Sequence, residues 1–435
     1  MTIFHEKQDQ IINVQSGQCN WKDCVGCGWG KLKFPVSVEN LKQQILRVKL
    51  DPEKILKIFE SGSFFDDDQI PREFRQWFAQ HCKEQGIRHL VLESRPEFIT
   101  EENLNDFRGV GIDMHIAIGL ESTDNAILKK YNKGFTFEDY KASVDVIRKV
   151  GFKVRTFILV NMYHSQQLDL EKSIEETLPL TDSLVIINMM PHASTSLFSL
   201  WVNGLWKPFD RKQFYSAVDK WKDNPKAEID FDNFVFAPKF VERERVMIKG
   251  ATVDNLKHKH FEVWQDFIQR IYERPERKDI ALFLPCSFQK PYERSQTHTA
   301  IDKVLQSSDL FPRIHKLVIS TPGVVPFEFN SKYPFNSYDW PEWEETSDVR
   351  QEYVNVNAER IRKYLENHEY KMIVCYLKPT SDTYKALERA CQDLGLKFTN
   401  LLSDEVFDLV SDLKNPVARP EALANLRRNL AGVTC

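Results

Sequence analysis

The chain reads as an α/β protein of two parts: a partial, six-unit (β/α)6 barrel, then a doubly wound three-layer α/β domain. Three observations predict this. From residue 11 to about 190, short β-rich runs alternate with amphipathic helical stretches. An aromatic, irregular stretch over 191–245 and a charged helix over 257–273 then break the alternation. A second alternation starts near residue 280. Strands separated by helices form right-handed βαβ units around a parallel sheet.

The first strand is expected at 11–14 (Ile11-Ile12-Asn13-Val14), followed by a cysteine-bearing loop and a helix over 38–47. Further strands are expected at 55–59, 89–92, 114–118, 154–160 and 183–188, with helices over 72–85, 138–150 and 170–177. Their near-continuous aliphatic runs are those of strands buried on both faces. Residues 231–236 read as one more strand, and Arg274-Pro275-Glu276-Arg277 as a linker. In the second part, strands are expected at 280–284, 316–320, 372–376 and 397–400, with helices over 358–367 and 381–394. A last short helix after Pro416 carries Arg427 and Arg428. The expected division is a barrel domain at 1–245, a helical linker at 246–277 and a core domain at 278–435.

Composition sets outer bounds. With 42% apolar and 28% charged residues, the chain has the make-up of an ordinary globular protein. A net charge of −4 gives no global pull toward nucleic acid or anionic membrane. Locally, Lys239, Arg243, Arg245, Lys249, Lys257 and Lys259 form a basic stretch that reads equally as an RNA-backbone patch or a solvated face. No run approaches the roughly 20 apolar residues of a spanning helix, and the polar first ten residues lack a signal-peptide core. Eight cysteines, three of them bunched, fit a reducing compartment and a metal site better than a disulfide framework. The expected location is cytoplasmic, with no membrane partner.

The bunched three are Cys19, Cys24 and Cys27, spaced Cys-x4-Cys-x2-Cys directly after the first strand. Three thiolates in one loop can hold three irons of a [4Fe–4S] cluster and leave the fourth open to a small chelating molecule. Ligands of barrel folds gather at the C-terminal ends of strands, where this loop lies. The rival is structural zinc, which needs four ligands; no fourth cysteine or histidine stands in a paired spacing nearby, and Cys82 falls mid-helix. A coincidental trio of buried thiols is the plainest alternative.

Successive strand ends carry further polar residues. Strand two ends in Glu60-Ser61-Gly62-Ser63, where a glycine permits close backbone approach to a ligand. Strand three ends in Glu93-Ser94-Arg95-Pro96-Glu97 and strand four in Gly119-Leu120-Glu121-Ser122. Arg155 on strand five could pair with a carboxylate. Singly each is an ordinary turn or helix cap; their repetition after consecutive strands is the argument.

Together with Lys133-Gly134-Phe135-Thr136 and the segment from Met190-Pro191-His192 through Lys207-Pro208, these motifs resemble radical SAM enzymes. The subgroup they are most similar to is the radical SAM enzyme of archaeosine formation, over residues 10–245. The resemblance implies a [4Fe–4S] cluster on Cys19, Cys24 and Cys27, S-adenosyl-L-methionine, an electron donor, and hydrogen abstraction by a 5′-deoxyadenosyl radical. It also implies that Ser61, Gly62 and Ser63 meet the methionine amino group, and that Glu93 and Glu121 line the adenosyl or substrate side.

A second constellation follows strand 280–284: Pro285-Cys286-x3-Lys290-Pro291-Tyr292-x2-Ser295-x2-His298. Cys286 is a candidate thiol nucleophile, Lys290 a cation beside it and His298 a proton-transfer group. A small core cysteine beside helix-capping polar groups is the plainer alternative. With Ser320-Thr321-Pro322-Gly323, Tyr333-Pro334 and Ser337-Tyr338-Asp339-Trp340-Pro341, the motif is similar to the core domain of archaeosine synthase over residues 278–400. That family attaches lysine to the nitrile of 7-cyano-7-deazaguanine in tRNA, with Cys286 as the candidate nucleophile and Lys290 or Asp339 as binders of base or amino acid. The chain departs from that family where a transglycosylase-like region and an RNA-binding module would stand, so a partner of either type would supply substrate delivery. The expectation is a radical SAM lyase, also able to form or hold the lysine adduct. The alternatives are a deazaguanine in DNA or as free base, or a non-catalytic metal-stapled nucleic-acid-binding protein.

Overall fold

The computed structural model describes residues 9–433, in two compact units, Met1–Phe236 and Ala237–Cys435. In the first unit seven parallel strands lie in sequential order in one curled sheet: β1 (Asp9–Asn13), β2 (Ile55–Phe59), β3 (His89–Glu93), β4 (Asp113–Glu121), β5 (Lys153–Val160), β6 (Ser183–Asn188) and β7 (Ala227–Asp230). The intervening helices are α1 (Val38–Leu46), α2 (Arg72–Glu84), α3 (Glu101–Leu104), α4 (Asn125–Tyr131), α5 (Phe137–Val150), α6 (Gln167–Thr177), α7 (Ser196–Val202) and α8 (Arg211–Val218).

Successive strand residues point to opposite faces, and the inward set reads cleanly. Ile55, Lys57 and Phe59 of β2, Arg155, Phe157 and Leu159 of β5, and Val185 and Ile187 of β6 share the interior of the sheet, where all but Ile55 line one cavity. Ile55, Val91, Ala117, Phe157, Val185 and Ile187 form its apolar middle. At the N-terminal end lie two ion pairs, Lys57–Asp9 and Arg155–Glu228, each at 2.5 Å. They join β2 to β1 and β5 to β7.

β7 adds a seventh strand to the expected six, and the expected strand at 231–236 is corrected. There the chain makes a tight 3-10 turn over Asp232–Phe234. The Asp230 carboxylate accepts from the Asn233 backbone N–H at 3.1 Å and stops β7. The apolar density that mimicked a strand serves packing: Phe231 sits 5.4 Å from the Phe214 ring and 4.8 Å under the Arg211 guanidinium.

The second unit holds β8 (Ile248–Lys249), β9 (Ile280–Pro285), β10 (Ile314–Ser320), β11 (Gly323–Pro326), β12 (Tyr338–Asp339), β13 (Met372–Cys375) and β14 (Thr399–Asn400). A mixed sheet runs β11-β10-β9-β13-β14, parallel except for the β10–β11 hairpin, while β8 and β12 pair separately. Its helices are α9 (Val253–Leu256), α10 (Lys259–Arg270), α11 (Gln296–Gln306), α12 (Ser347–Asn367), α13 (Asp382–Asp393), α14 (Asp404–Val410) and α15 (Pro420–Ala431). The helix expected over 257–273 is α10, with the short α9 just before it and His258 between them accepting from the His260 N–H. α12 begins eleven residues before the expected 358, behind a Thr346 cap, because its first half is too polar to show an apolar stripe. No helix among the described residues is long and apolar enough to cross a membrane.

β9 lies at the centre of its sheet, with β10 on one side and β13 on the other. Chain order reverses there, and in open α/β sheets ligands bind outside the C-terminal strand ends at such a point. Cys286 is the first residue past that end.

Candidate active sites

The cysteine loop after β1 is held by segments far away in sequence. Val25 N–H donates to Tyr131 O at 3.0 Å, Leu197 N–H to Val25 O at 3.2 Å, and the Trp21 indole to Asn132 O at 2.6 Å. Asn132, left-handed at φ 57°, ends α4 and turns the chain so that Lys133 returns to the sheet. Gly134 has φ +84°, and a Cβ there would stand 2.4 Å from the Trp21 ring; only glycine lets the indole lie against this turn. His192 Nδ1 lies 3.0 Å from the Gly28 N–H and 3.2 Å from the Gly26 carbonyl oxygen, while its Nε2 is buried and without a partner among the described residues. Burial pushes the His192 pKa down to about 4, against the pull of the Gly26 carbonyl.

Cys19 is buried, Cys24 and Cys27 are half-buried, and all three thiols are free. They share a cavity of about 800 Å³ with Glu60, Ser61, Gly62, Glu93, Glu121 and Lys133. Burial pushes the Cys24 and Cys27 thiols up, while Lys133 and Arg95 pull Cys24 the other way. Among the described residues no three His, Cys, Asp or Glu side chains are arranged around one metal ion. A [4Fe–4S] cluster instead takes one thiolate per iron.

The expected adenosyl-side residues divide. Ser61 Oγ donates to Gly17 O at 2.8 Å, and Ser63 Oγ accepts from Arg95 N–H at 3.1 Å. Both hydroxyls therefore brace the cysteine loop and the β3 end, and Ser63 lies behind the cavity wall. Gly62 is pressed close: a Cβ would meet the Gln69 amide at 2.5 Å and Cys19 Cβ at 2.9 Å. Gln69 in turn donates to Gly17 O at 3.1 Å and accepts from Ser63 N–H at 2.8 Å. Gly62→Ala is expected to displace Gln69 and Cys19 together, an overpacking cost of about 1–3 kcal/mol. Iron bound per chain after anaerobic reconstitution checks it; wild-type iron with an unchanged melting temperature would refute it.

Glu93 is half-buried in the cavity wall, and its carboxyl is pushed up to about 7 by burial, with Lys133 opposing and Glu121 adding. Glu121 sits at a bulge in β4 with φ 73° and accepts from Lys133 Nζ at 2.7 Å. Burial works against the Lys133 cation, but Glu121 and Cys24 outweigh it and hold its pKa above the ordinary value. Arg155, read as a partner for a ligand carboxylate, is bonded to Ser183 Oγ at 2.6 Å and to Glu228.

Sequence reasoning missed Glu60. Its two carboxylate oxygens are buried with no partner among the described residues, and burial pushes the carboxyl far up, Glu93 and Cys19 adding. A buried acid without a donor is costly, and it asks for a cationic or N–H-bearing ligand in this cavity. Three loop thiols, an unpartnered carboxylate and a backbone pressed close at Gly62 fit an iron–sulfur cluster with an aminoacyl ligand.

In the second unit Cys286 is exposed. Its sulfur lies 3.3 Å from the Tyr338 hydroxyl and 3.9 Å from that of Tyr292, and the two phenols are 2.8 Å apart. Burial, then the nearby Cys286, pushes both phenols far above their ordinary pKa. They stay protonated donors. Lys290 Nζ stands 3.9 Å from the centre of the Tyr338 ring. Cys286, Lys290, Tyr292 and Tyr338 therefore form one cluster, and the two tyrosines are the members that sequence reasoning left without a role.

Among the described residues neither His298 nor Asp339 is hydrogen-bonded to the Cys286 sulfur. His298 is fully buried, with Nε2 against Pro285 O at 3.0 Å, so it braces the β9 end behind Cys286. Burial pushes its pKa down to about 4. Asp339 follows Tyr338 in β12, and strand neighbours project to opposite faces. Of the basic stretch 239–259, Lys257 is paired with Glu352 at 2.6 Å, and Arg245 donates to Phe240 O.

Residues 14–176 match the family described as the radical SAM superfamily, and residues 262–430 a domain of unknown function, DUF5591. The chain is similar to archaeosine synthase subunit beta of Methanosarcina acetivorans, 26% identical over 214 residues, covering 45% of this chain and 62% of that protein. It is also similar to archaeosine synthase subunit alpha of the same organism, 30% identical over 157 residues, covering 35% of this chain and 24% of that one. Each match thus spans less than two thirds of the relative's own length. Among solved structures, a queuine lyase from Clostridium spiroforme bound to SAM and queuine aligns with a TM-score of 0.41 at 18% identity, over 52% of this chain and 93% of that one. The chain thus carries a radical SAM domain match at 14–176 followed by a DUF5591 match at 262–430.

Proposed function

We propose that this chain is a tRNA-modifying radical SAM enzyme of archaeosine-type 7-deazaguanine chemistry. In this reading the second unit adds lysine to the nitrile of the base, and the first cleaves a C–N bond of the adduct to leave an amidine. The observation that carries it is the cavity that Cys19, Cys24 and Cys27 share with the unpartnered Glu60 and with Glu93. That alpha and beta subunits of one organism's archaeosine synthase both resemble this chain supports two steps on one polypeptide.

Bound in the cavity and reduced by an electron donor, a [4Fe–4S] cluster with S-adenosyl-L-methionine supplies a 5′-deoxyadenosyl radical for hydrogen abstraction. Cys19, Cys24 and Cys27 would hold the cluster, and Glu60 would accept from the methionyl ammonium. Glu93, near half-protonation at neutral pH, is suited to hold or give up a proton at a substrate nitrogen. The apolar side chains of the cavity wall, Phe157, Leu159, Val185 and Ile187, would limit the water around the reacting atoms.

In the second unit the Cys286 thiolate would add to the nitrile carbon while Tyr338 donates a proton to the nitrile nitrogen, giving a thioimidate. The lysine ε-amine would then form the C–N bond, the C–S bond would break to release the thiolate, and the amine's proton would return to the Tyr338 oxygen. The test is incubation of the reconstituted chain with tRNA bearing the nitrile base, lysine, S-adenosyl-L-methionine and dithionite, followed by nucleoside mass spectrometry. Lysine-adduct and amidine nucleosides are expected in that order. Unchanged nitrile base alongside active 5′-deoxyadenosine release would reject the substrate while keeping the radical chemistry.

A further inference from the structure

α11 and α15 each turn one face into a groove of about 620 Å³. On α11, Thr299 and Ala300 stand four and three residues before Lys303, and Leu423 and Ala424 stand likewise before Arg427 on α15. This spacing keeps each set on one helix face. Short side chains at 299, 300 and 424 leave the middle open, and three cations stand around it: Lys303, Arg427 and Arg294 from the turn before α11.

Among the described residues no carboxylate lines this groove, and none forms an ion pair with any of these three cations. Elsewhere in the unit, cations beside the sheet are neutralised: Lys316 by Asp302, Arg313 by Asp279 and Arg360 by Glu262. On a chain of net charge −4, a concave site whose charged groups are all cations favours an anionic ligand. Arginine adds bidentate geometry for phosphate oxygens. The groove is also linked to the candidate thiol site along the chain. Arg294 belongs to the loop that starts at Cys286, and the next residue, Ser295, caps α11.

We propose that the α11–α15 groove holds the phosphodiester backbone of the RNA substrate and sets its register, so that one base reaches the Cys286 loop. This rests on the reading of tRNA as substrate. Phosphate contacts give affinity and position without reading sequence, and each of them carries a salt dependence from released counterions.

The test is binding of tRNA transcripts to the full-length reconstituted chain, read by fluorescence anisotropy across a salt series. Lys303→Ala combined with Arg427→Ala is expected to lower the slope of log affinity against log salt by about 2, one for each phosphate that no longer meets a cation. The weakening should be the same for transcripts of different sequence. The thermal unfolding transitions and near-UV circular dichroism of the variant should stay those of wild type, showing that the second unit is folded. A second pair, Lys239→Ala with Arg243→Ala, is expected to leave the slope unchanged. If that pair lowers the slope and the groove pair does not, or if the groove pair binds as wild type does, the groove is not the site. Wild-type protein that binds no tRNA would overturn the RNA reading itself.

Discussion

Cys24→Ala yields a folded chain that holds no four-iron cluster and releases no 5′-deoxyadenosine with dithionite and S-adenosyl-L-methionine. The thiol is half-buried against the cluster of Ile127, Tyr131 and Leu197, so its removal takes away little packing, on the order of 1 kcal/mol. The chemical effect is all-or-none, because two thiolates leave two irons of the cluster unheld by protein. Iron analysis after anaerobic reconstitution and chromatography of the nucleoside check both halves. The control is Cys82→Ala: that thiol is fully buried inside α2 and is expected to change neither readout. A brown, four-iron Cys24→Ala protein that still forms the nucleoside would remove this residue from the cluster.

Cys286→Ala is expected to abolish lysine addition, a drop on the order of 10³-fold or more if the thiol is the covalent nucleophile. The residue is exposed and follows the end of a strand, so the fold survives its removal. Tyr338→Phe is expected to slow the same step by about 10²-fold, the low end of what a positioned general acid contributes. Mass spectrometry of the intact wild-type chain after incubation with the nitrile base, without lysine, should show the mass of one added base, absent in Cys286→Ala. Lysine addition at the wild-type rate in the alanine variant would leave Cys286 with only a structural part.

The central elements were legible because their signals are local. β2 and β6 begin and end where their aliphatic runs do, at Ile55–Phe59 and Ser183–Asn188. β7 was not legible: its four residues are only half-buried, while the richer aromatic run next to it packs against α8. The site shows the same division. Cysteine spacing pointed to Cys19, Cys24 and Cys27, because one loop carries all three. Glu60 looked like part of a turn, since its lack of a donor exists only once β2, β3 and the cysteine loop have come together. Arg155 looked free for a ligand because Glu228 lies 73 residues away and on a strand too weak to foresee. His298 read as a proton carrier from its place in the motif, yet its Nε2 is held by the Pro285 carbonyl and its Nδ1 is buried without a partner among the described residues. Tyr338 becomes the thiol's neighbour only through the pairing of β12 with β8.

An open sheet has two ends, and each exposes a row of backbone groups able to accept a foreign strand. In this half-barrel the end strands are β1 and β7, and each sends one acid inward to a cation on an inner strand: Asp9 to Lys57 and Glu228 to Arg155. A slip of one residue would turn the acid outward and break the pair, a penalty that an apolar contact would not impose. These two pairs therefore favour the native register of β1 and β7 over one shifted by a residue.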